Sequence, residues 1–121
     1  MKICISAKGK EKESLLDRRF GRCDYFQIYD TETGDFKVLE NESKLSNGGA
    51  GIAASNQLID EDIEVVITGN LGPNAFGIIE EEGIKAYTCE SIAIGSVLEK
   101  YENGELKEIK SSGPANHGAN R

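Results

Sequence analysis

Val65-Val66-Ile67-Thr68-Gly69-Asn70-Leu71-Gly72-Pro73-Asn74-Ala75-Phe76 is the stretch that decides the architecture. Three adjoining β-branched apolar residues read as a short central strand buried on both faces, as in a parallel sheet. The glycine-bearing loop that follows runs into Pro73, whose missing N–H and fixed φ suit the first turn of a helix. Gly83 suits the C-terminal cap of that helix, and Ile84-Lys85-Ala86-Tyr87-Thr88 reads as the next strand. Strand, helix and strand at this spacing make a right-handed parallel crossover.

Upstream, Ile3 and Ile5 alternate with Cys4 and Ser6 in a first strand, and a polar stretch follows to about Arg22. Tyr25 to Tyr29 and Phe36 to Glu40 flank Thr33-Gly34 and read as an antiparallel hairpin. After Asn47-Gly48-Gly49 the apolar spacing turns helical, which predicts a helix over about 50–60 ending at Asp60-Glu61-Asp62. Downstream, Ser91 is a plausible N-cap for a third helix carrying Ile92, Ile94, Val97, Leu98 and Tyr101, ended by Asn103-Gly104. The expected fold is α/β, a mixed five-stranded sheet between helices on both faces. Ile3, Ile5, Phe26, Ile28, Leu58, Val65, Val66, Ile67, Ile79 and Leu98 are its expected core. Residues 1–110 form the expected domain. Residues 111–121, rich in Ser, Gly, Pro and Asn, have nothing to bury and are expected to be a flexible tail.

A chain of 121 residues suits one domain, burying roughly two-thirds of its unfolded surface. The formal net charge of -7 disfavours unaided nucleic-acid binding, because phosphate neutralisation needs a basic face. No apolar run approaches the ~20 residues that span a bilayer, nor is there a signal-peptide core, so the expected location is cytoplasmic. Cys4, Cys23 and Cys89 are an odd, widely spaced set with His117 as the single imidazole. They form neither a disulfide framework nor an evident zinc motif.

Three segments taken together, Phe20-Gly21-Arg22-Cys23-Asp24-Tyr25-Phe26, Gly48-Gly49-Ala50-Gly51 and Gly69 to Phe76, resemble the dinitrogenase iron-molybdenum cofactor biosynthesis family in order and spacing. The resemblance covers about residues 1–110. It implies a ribonuclease H-like motif with strand order 3-2-1-4-5 and strand two antiparallel. It also implies a role among small carriers of nitrogenase cofactor precursors, a relative holding a molybdenum-copper sulfide cluster, and homologues of unknown ligand.

With that order, the C-terminal ends of strands one, three, four and five share one edge, and ligands of open α/β sheets bind outside such an edge where strand order reverses. Ser6 to Gly9, Cys23, Gly48 to Gly51, Gly69 to Phe76 and Cys89 fall there. All three helices begin there too, so free N–H groups and positive dipole ends favour an anion. The candidate cofactor-binding residues are Arg22, Cys23, Gly49, Gly69, Asn70, Gly72, Asn74 and Cys89. Arg18, Arg19 and Arg22 could contact an anion or pair with Asp17 and Asp24. Cys23 and Cys89 are expected as exposed thiolates, Cys23 with its pKa lowered by Arg22. Cys4 is expected to be a buried core residue. Cys23, Cys89 and His117 are the candidate metal ligands.

The expected function is a small carrier of an anionic metal-sulfur cofactor, an iron-sulfur or iron-molybdenum-type cluster, working with a cofactor-donating or cofactor-receiving protein. The alternative is a protein-interaction or regulatory module without a metal cofactor. Catalysis is not expected. A two-metal nuclease needs clustered carboxylates on central strands, and neither Ile3 to Ser6 nor Val65 to Gly69 carries one. Gly49-Ala50-Gly51-Ile52-Ala53-Ala54 matches G-x-G-x-x-A formally, but no acidic residue closes the following strand, so it is no dinucleotide fingerprint. Oligomeric state is not legible.

Overall fold

The computed structural model describes residues 1–43 and 49–113. The expected tail lies, apart from its first three residues, outside the described residues, as does His117. The elements follow as β1 (Lys2–Ala7), β2 (Tyr25–Asp30), β3 (Phe36–Glu40), α1 (Ala50–Ile59), β4 (Val65–Thr68), α2 (Pro73–Glu81), β5 (Lys85–Thr88), α3 (Ile94–Glu102) and β6 (Lys107–Glu108). The sheet order is β3-β2-β1-β4-β5-β6. Ile3, Cys4 and Ile5 pair in parallel with Val65, Val66 and Ile67, while β2 runs antiparallel to both β1 and β3. The sheet therefore has the expected order with a sixth strand added. β6 is only two residues long and carries no apolar alternation, so its pairing with β5 leaves no periodic signal.

The two faces of the sheet carry separate cores. Cys4, Phe26, Ile28, Val66 and Ala86 point to the face covered by α1 and α2, through Ala54, Leu58, Ala75 and Ile79. Ile3, Ile5, Val65 and Ile67 point to the other, covered by α3 through Ile94, Val97 and Leu98. This is why the central strands read as unbroken apolar runs. Every residue of the expected core is buried.

Two local expectations are corrected. Ser91 is not the N-cap of α3. Its hydroxyl donates to the Leu16 carbonyl at 2.6 Å, and the cap position is Ala93. The stretch after β1 is also not merely polar. Leu16 and Phe20 are buried, and the backbone N–H of Leu16 donates to the Ile92 carbonyl. This segment crosses the end of the sheet and covers part of each core.

Candidate functional site

The segment after β1 sets the geometry of the sheet's C-terminal edge. Asp17 N–H donates to the Ser6 carbonyl at 2.8 Å, and the Ser6 hydroxyl returns a bond to the Asp17 carbonyl at 2.6 Å while lying 2.7 Å from the Thr68 hydroxyl. The gap between β1 and β4 is thus closed by buried, hydrogen-bonded groups. Beyond it Arg18 packs over Gly69, where a Cβ would stand 2.7 Å from the Arg18 Cα. A bridge pairs the Arg19 backbone with Asn70.

An open space lies to the side, on the α1–α2 face. A cleft of about 600 Å³ is lined by Arg19, Phe20, Gly21, Arg22, residues 49–52, Asn70 and residues 72–75. The first turns of α1 and α2 both open into it. Their caps are Gly49 and Gly72, which have no side chain to satisfy the helix N–H groups. Helical geometry leaves the N–H groups of Ala50, Gly51 and Ile52 without intrahelical acceptors, and likewise those of Asn74 and Ala75; Pro73 has none to offer. Gly49 has φ of 67°, the left-handed region that favours glycine. Gly21 is required by close approach, since a Cβ there would stand 2.9 Å from the Gly51 nitrogen and 3.0 Å from the Ala50 carbonyl carbon.

Arg19 stands at the cleft wall tied to Asp17, its Nε donating to Oδ1 at 3.1 Å and Nη2 to Oδ2 at 2.9 Å. Burial pushes the Asp17 carboxyl up, but the hydrogen bonds and charge of Arg19 outweigh it and hold that carboxyl below its ordinary value. Arg18 turns away from the cleft, donating to the Cys89 and Gly69 carbonyls. Two helix starts, with their positive dipole ends and backbone donors, therefore open into a space that Arg19, ion-paired to Asp17, also lines, an arrangement suited to anions.

Of the residues named from sequence, Arg19, Arg22, Gly49, Asn70, Gly72 and Asn74 meet in this cleft, joined by Phe20, Gly21 and Ile52. Ser6 to Gly9 do not line it. Gly69 lies behind it, pinned by Arg18 and by the Thr88 hydroxyl, which donates to its carbonyl at 2.8 Å. α3 does not point into the cleft either. Its N-terminal Ile94 and Gly95 N–H groups donate to the Ser14 and Lys12 carbonyls.

The cysteines depart furthest from expectation. Cys23 is fully buried in the core under α1 and α2. Its thiol donates to the Phe20 carbonyl at 3.4 Å, and the Asn41 amide donates to the Cys23 carbonyl at 2.9 Å. Burial first, then the negative charge of Asp17, pushes the Cys23 thiol up to about 12. That is opposite to the expected lowering by Arg22, because desolvation penalises the thiolate. Cys89 is buried as well, raised by burial, and lines a separate cavity of about 310 Å³ with Arg18 and Lys100. Cys4 is buried as expected. Among the described residues no group of three or more His, Cys, Asp or Glu could hold a metal ion.

Residues 1–104 match the family described as dinitrogenase iron-molybdenum cofactor. The chain belongs to that family. Among solved structures, the apo form of the orange protein from Desulfovibrio gigas is 28% identical with a TM-score of 0.88, covering 93% of this chain and 95% of that one. A Thermotoga protein of the DUF35 family is 30% identical with a TM-score of 0.83, covering 95% and 98%. An uncharacterized protein of Methanocaldococcus jannaschii, MJ0580, is 26% identical over 98 residues, 78% of this chain and 83% of its own length. The family assignment thus spans both glycine-capped helix starts and the Phe20 to Arg22 turn that wall the cleft. Among the described residues no helix is long and apolar enough to cross a membrane.

Proposed function

We propose that this member of the dinitrogenase iron-molybdenum cofactor family is a small carrier that holds an anionic metal-sulfur cofactor or precursor, of iron-sulfur or iron-molybdenum type, and passes it between a donor and a receiving protein. The observation that carries this reading is the convergence of two glycine-capped helix N-termini, with Arg19 and Arg22, on one cleft of about 600 Å³. The chemistry of that wall suits cargo of one kind. N–H donors and guanidinium groups without a thiol among the lining residues match a complex already assembled and negatively charged, held by its outer atoms. They do not match a bare cation. The role of each residue follows: Ala50 to Ile52 and Asn74 to Ala75 donate from the backbone, Arg19 and Arg22 supply charge, and Gly21 lets the walls approach.

The burial of Cys23 and Cys89 favours one second reading, an interaction or regulatory module with no metal cofactor. Anaerobic titration with tetrathiomolybdate, a simple molybdenum-sulfur dianion, separates the two. The carrier reading expects saturable binding with amide shifts at residues 50–52 and 74–75. Absent binding, or shifts confined to other surfaces, favours the module.

A further inference from the structure

The chain beyond α3 forms a strap over the far edge of the sheet. β6 pairs with β5, the Ile109 N–H donates to the Ala86 carbonyl at 2.8 Å, and the Gly113 N–H donates to the Leu71 carbonyl at 2.7 Å. The strap therefore ends on the loop between β4 and α2, beside Asn70. Asn70 is a wall between two spaces: it lines the anion-suited cleft on one side and, on the other, a cavity of about 680 Å³ whose lining includes Tyr87 of β5 and Ile109 and Ser111 of the strap.

Gly113 does not adopt the left-handed backbone that would itself call for glycine. Its demand is steric. A Cβ at this position would fall on the Asn70 carboxamide, 2.6 Å from Cγ. On its other side the Asn70 backbone is bridged to Arg19. Asn70 is thus clamped between the segment that supplies the cleft arginines and a strap 43 positions later in the chain.

We propose that Gly113 is a positioning residue for Asn70: by packing its bare backbone on the carboxamide it sets that side chain at the cleft wall, so displacing the strap changes affinity at a site Gly113 does not line. The link to affinity rests on the anion-cleft reading above; the packing link does not. A carboxamide moved out of reach of the cargo forfeits one hydrogen bond, which corresponds to about three- to tenfold in affinity.

The test uses the full-length protein with ¹⁵N labelling, in wild type, Gly113→Ala, Asn70→Ala and the double variant, each titrated with tetrathiomolybdate. Gly113→Ala is expected to move the Asn70 side-chain amide resonances before any ligand is added and to weaken binding about three- to tenfold. Because Asn70→Ala removes the group that a Cβ at 113 would strike, the double variant is expected to bind as Asn70→Ala does. Unmoved Asn70 resonances in Gly113→Ala overturn the proposal. So does a loss of affinity that is equally large with Asn70 already removed. Moved Asn70 resonances in a protein whose wild type binds no tetrathiomolybdate support the packing link and overturn the anion reading instead.

Discussion

Arg19 closes a ring on Asp17: its backbone N–H, its Nε and its Nη2 all donate to the same carboxylate, at 2.9, 3.1 and 2.9 Å. The carboxylate is 2% exposed and the arginine side chain 65% exposed, so the pair joins a buried anion to a solvent-facing cation at the cleft wall. Its anchor is equally specific, since the Asp17 backbone is bonded in both directions to Ser6 at the end of β1.

Acid should weaken the fold through Asp17. A carboxyl held below its ordinary value contributes stability that is fully present above its unfolded pKa, roughly 3.9, and is lost as pH falls through the lower folded value. Asp17→Asn is expected to cost about 1–2 kcal/mol near neutral pH, the exposure of Arg19 moderating the loss. Urea melts of both proteins should converge as pH drops below about 4. A gap between them that stays constant down to strongly acidic pH would show that the charge of Asp17 contributes nothing.

The central strand tolerates no charge. Val66 is fully buried between β1 and β5. Val66→Asp is expected to abolish soluble folded protein, because an unpaired buried carboxylate costs several kcal/mol against a total of roughly 5–15. A cooperative melt close to wild type would contradict the placement of β4.

Two glycines should respond in opposite directions to the same methyl group. At Gly21 the added Cβ meets α1 backbone, so Gly21→Ala is expected to destabilise by about 1–3 kcal/mol and to weaken tetrathiomolybdate binding by displacing the first turn of α1. Gly77 lies on the exposed side of α2 with nothing near its missing Cβ. Gly77→Ala is expected to stabilise by about 0.5–1 kcal/mol with binding unchanged. Thermal melts and titrations of the pair check both; equal effects would remove the close approach at Gly21 from the account.

The thiols should be silent in the native state. With Cys23 pushed up to about 12 and Cys4 raised by burial, both stay protonated at mildly alkaline pH. A disulfide reagent is expected to leave Cys4 and Cys23 unmodified in native buffer and to titrate all three cysteines in denaturant. Cys23→Ser is expected to bind tetrathiomolybdate like wild type, since Cys23 does not line the cleft. Rapid native labelling of Cys23 would restore it as a ligand candidate.

How much of this was legible in the sequence differs from element to element. Val65 to Thr68 and the turn into Pro73 were readable because a strand buried on both faces must be apolar throughout and a helix start tolerates proline; from these the parallel crossover follows. The strand order that the family resemblance implied put the glycine loops together on one edge of the sheet, and Arg22, Gly49, Asn70, Gly72 and Asn74 do line one cleft. The sequence could not determine which way Cys23 faces. A loop has no periodicity to read, and its orientation is set by Asn41, 18 residues away, bonding the Cys23 carbonyl. The closing of the gap between β1 and β4 was hidden for the same reason, because it depends on Asp17 meeting Ser6 and Arg18 meeting Gly69, contacts that no local pattern encodes. Local chemistry chose the elements, and the strand order implied by the family resemblance gave the edge; long-range packing moved the cleft onto the α1–α2 face, buried Cys23 and Cys89, and left backbone N–H groups where those cysteines were expected.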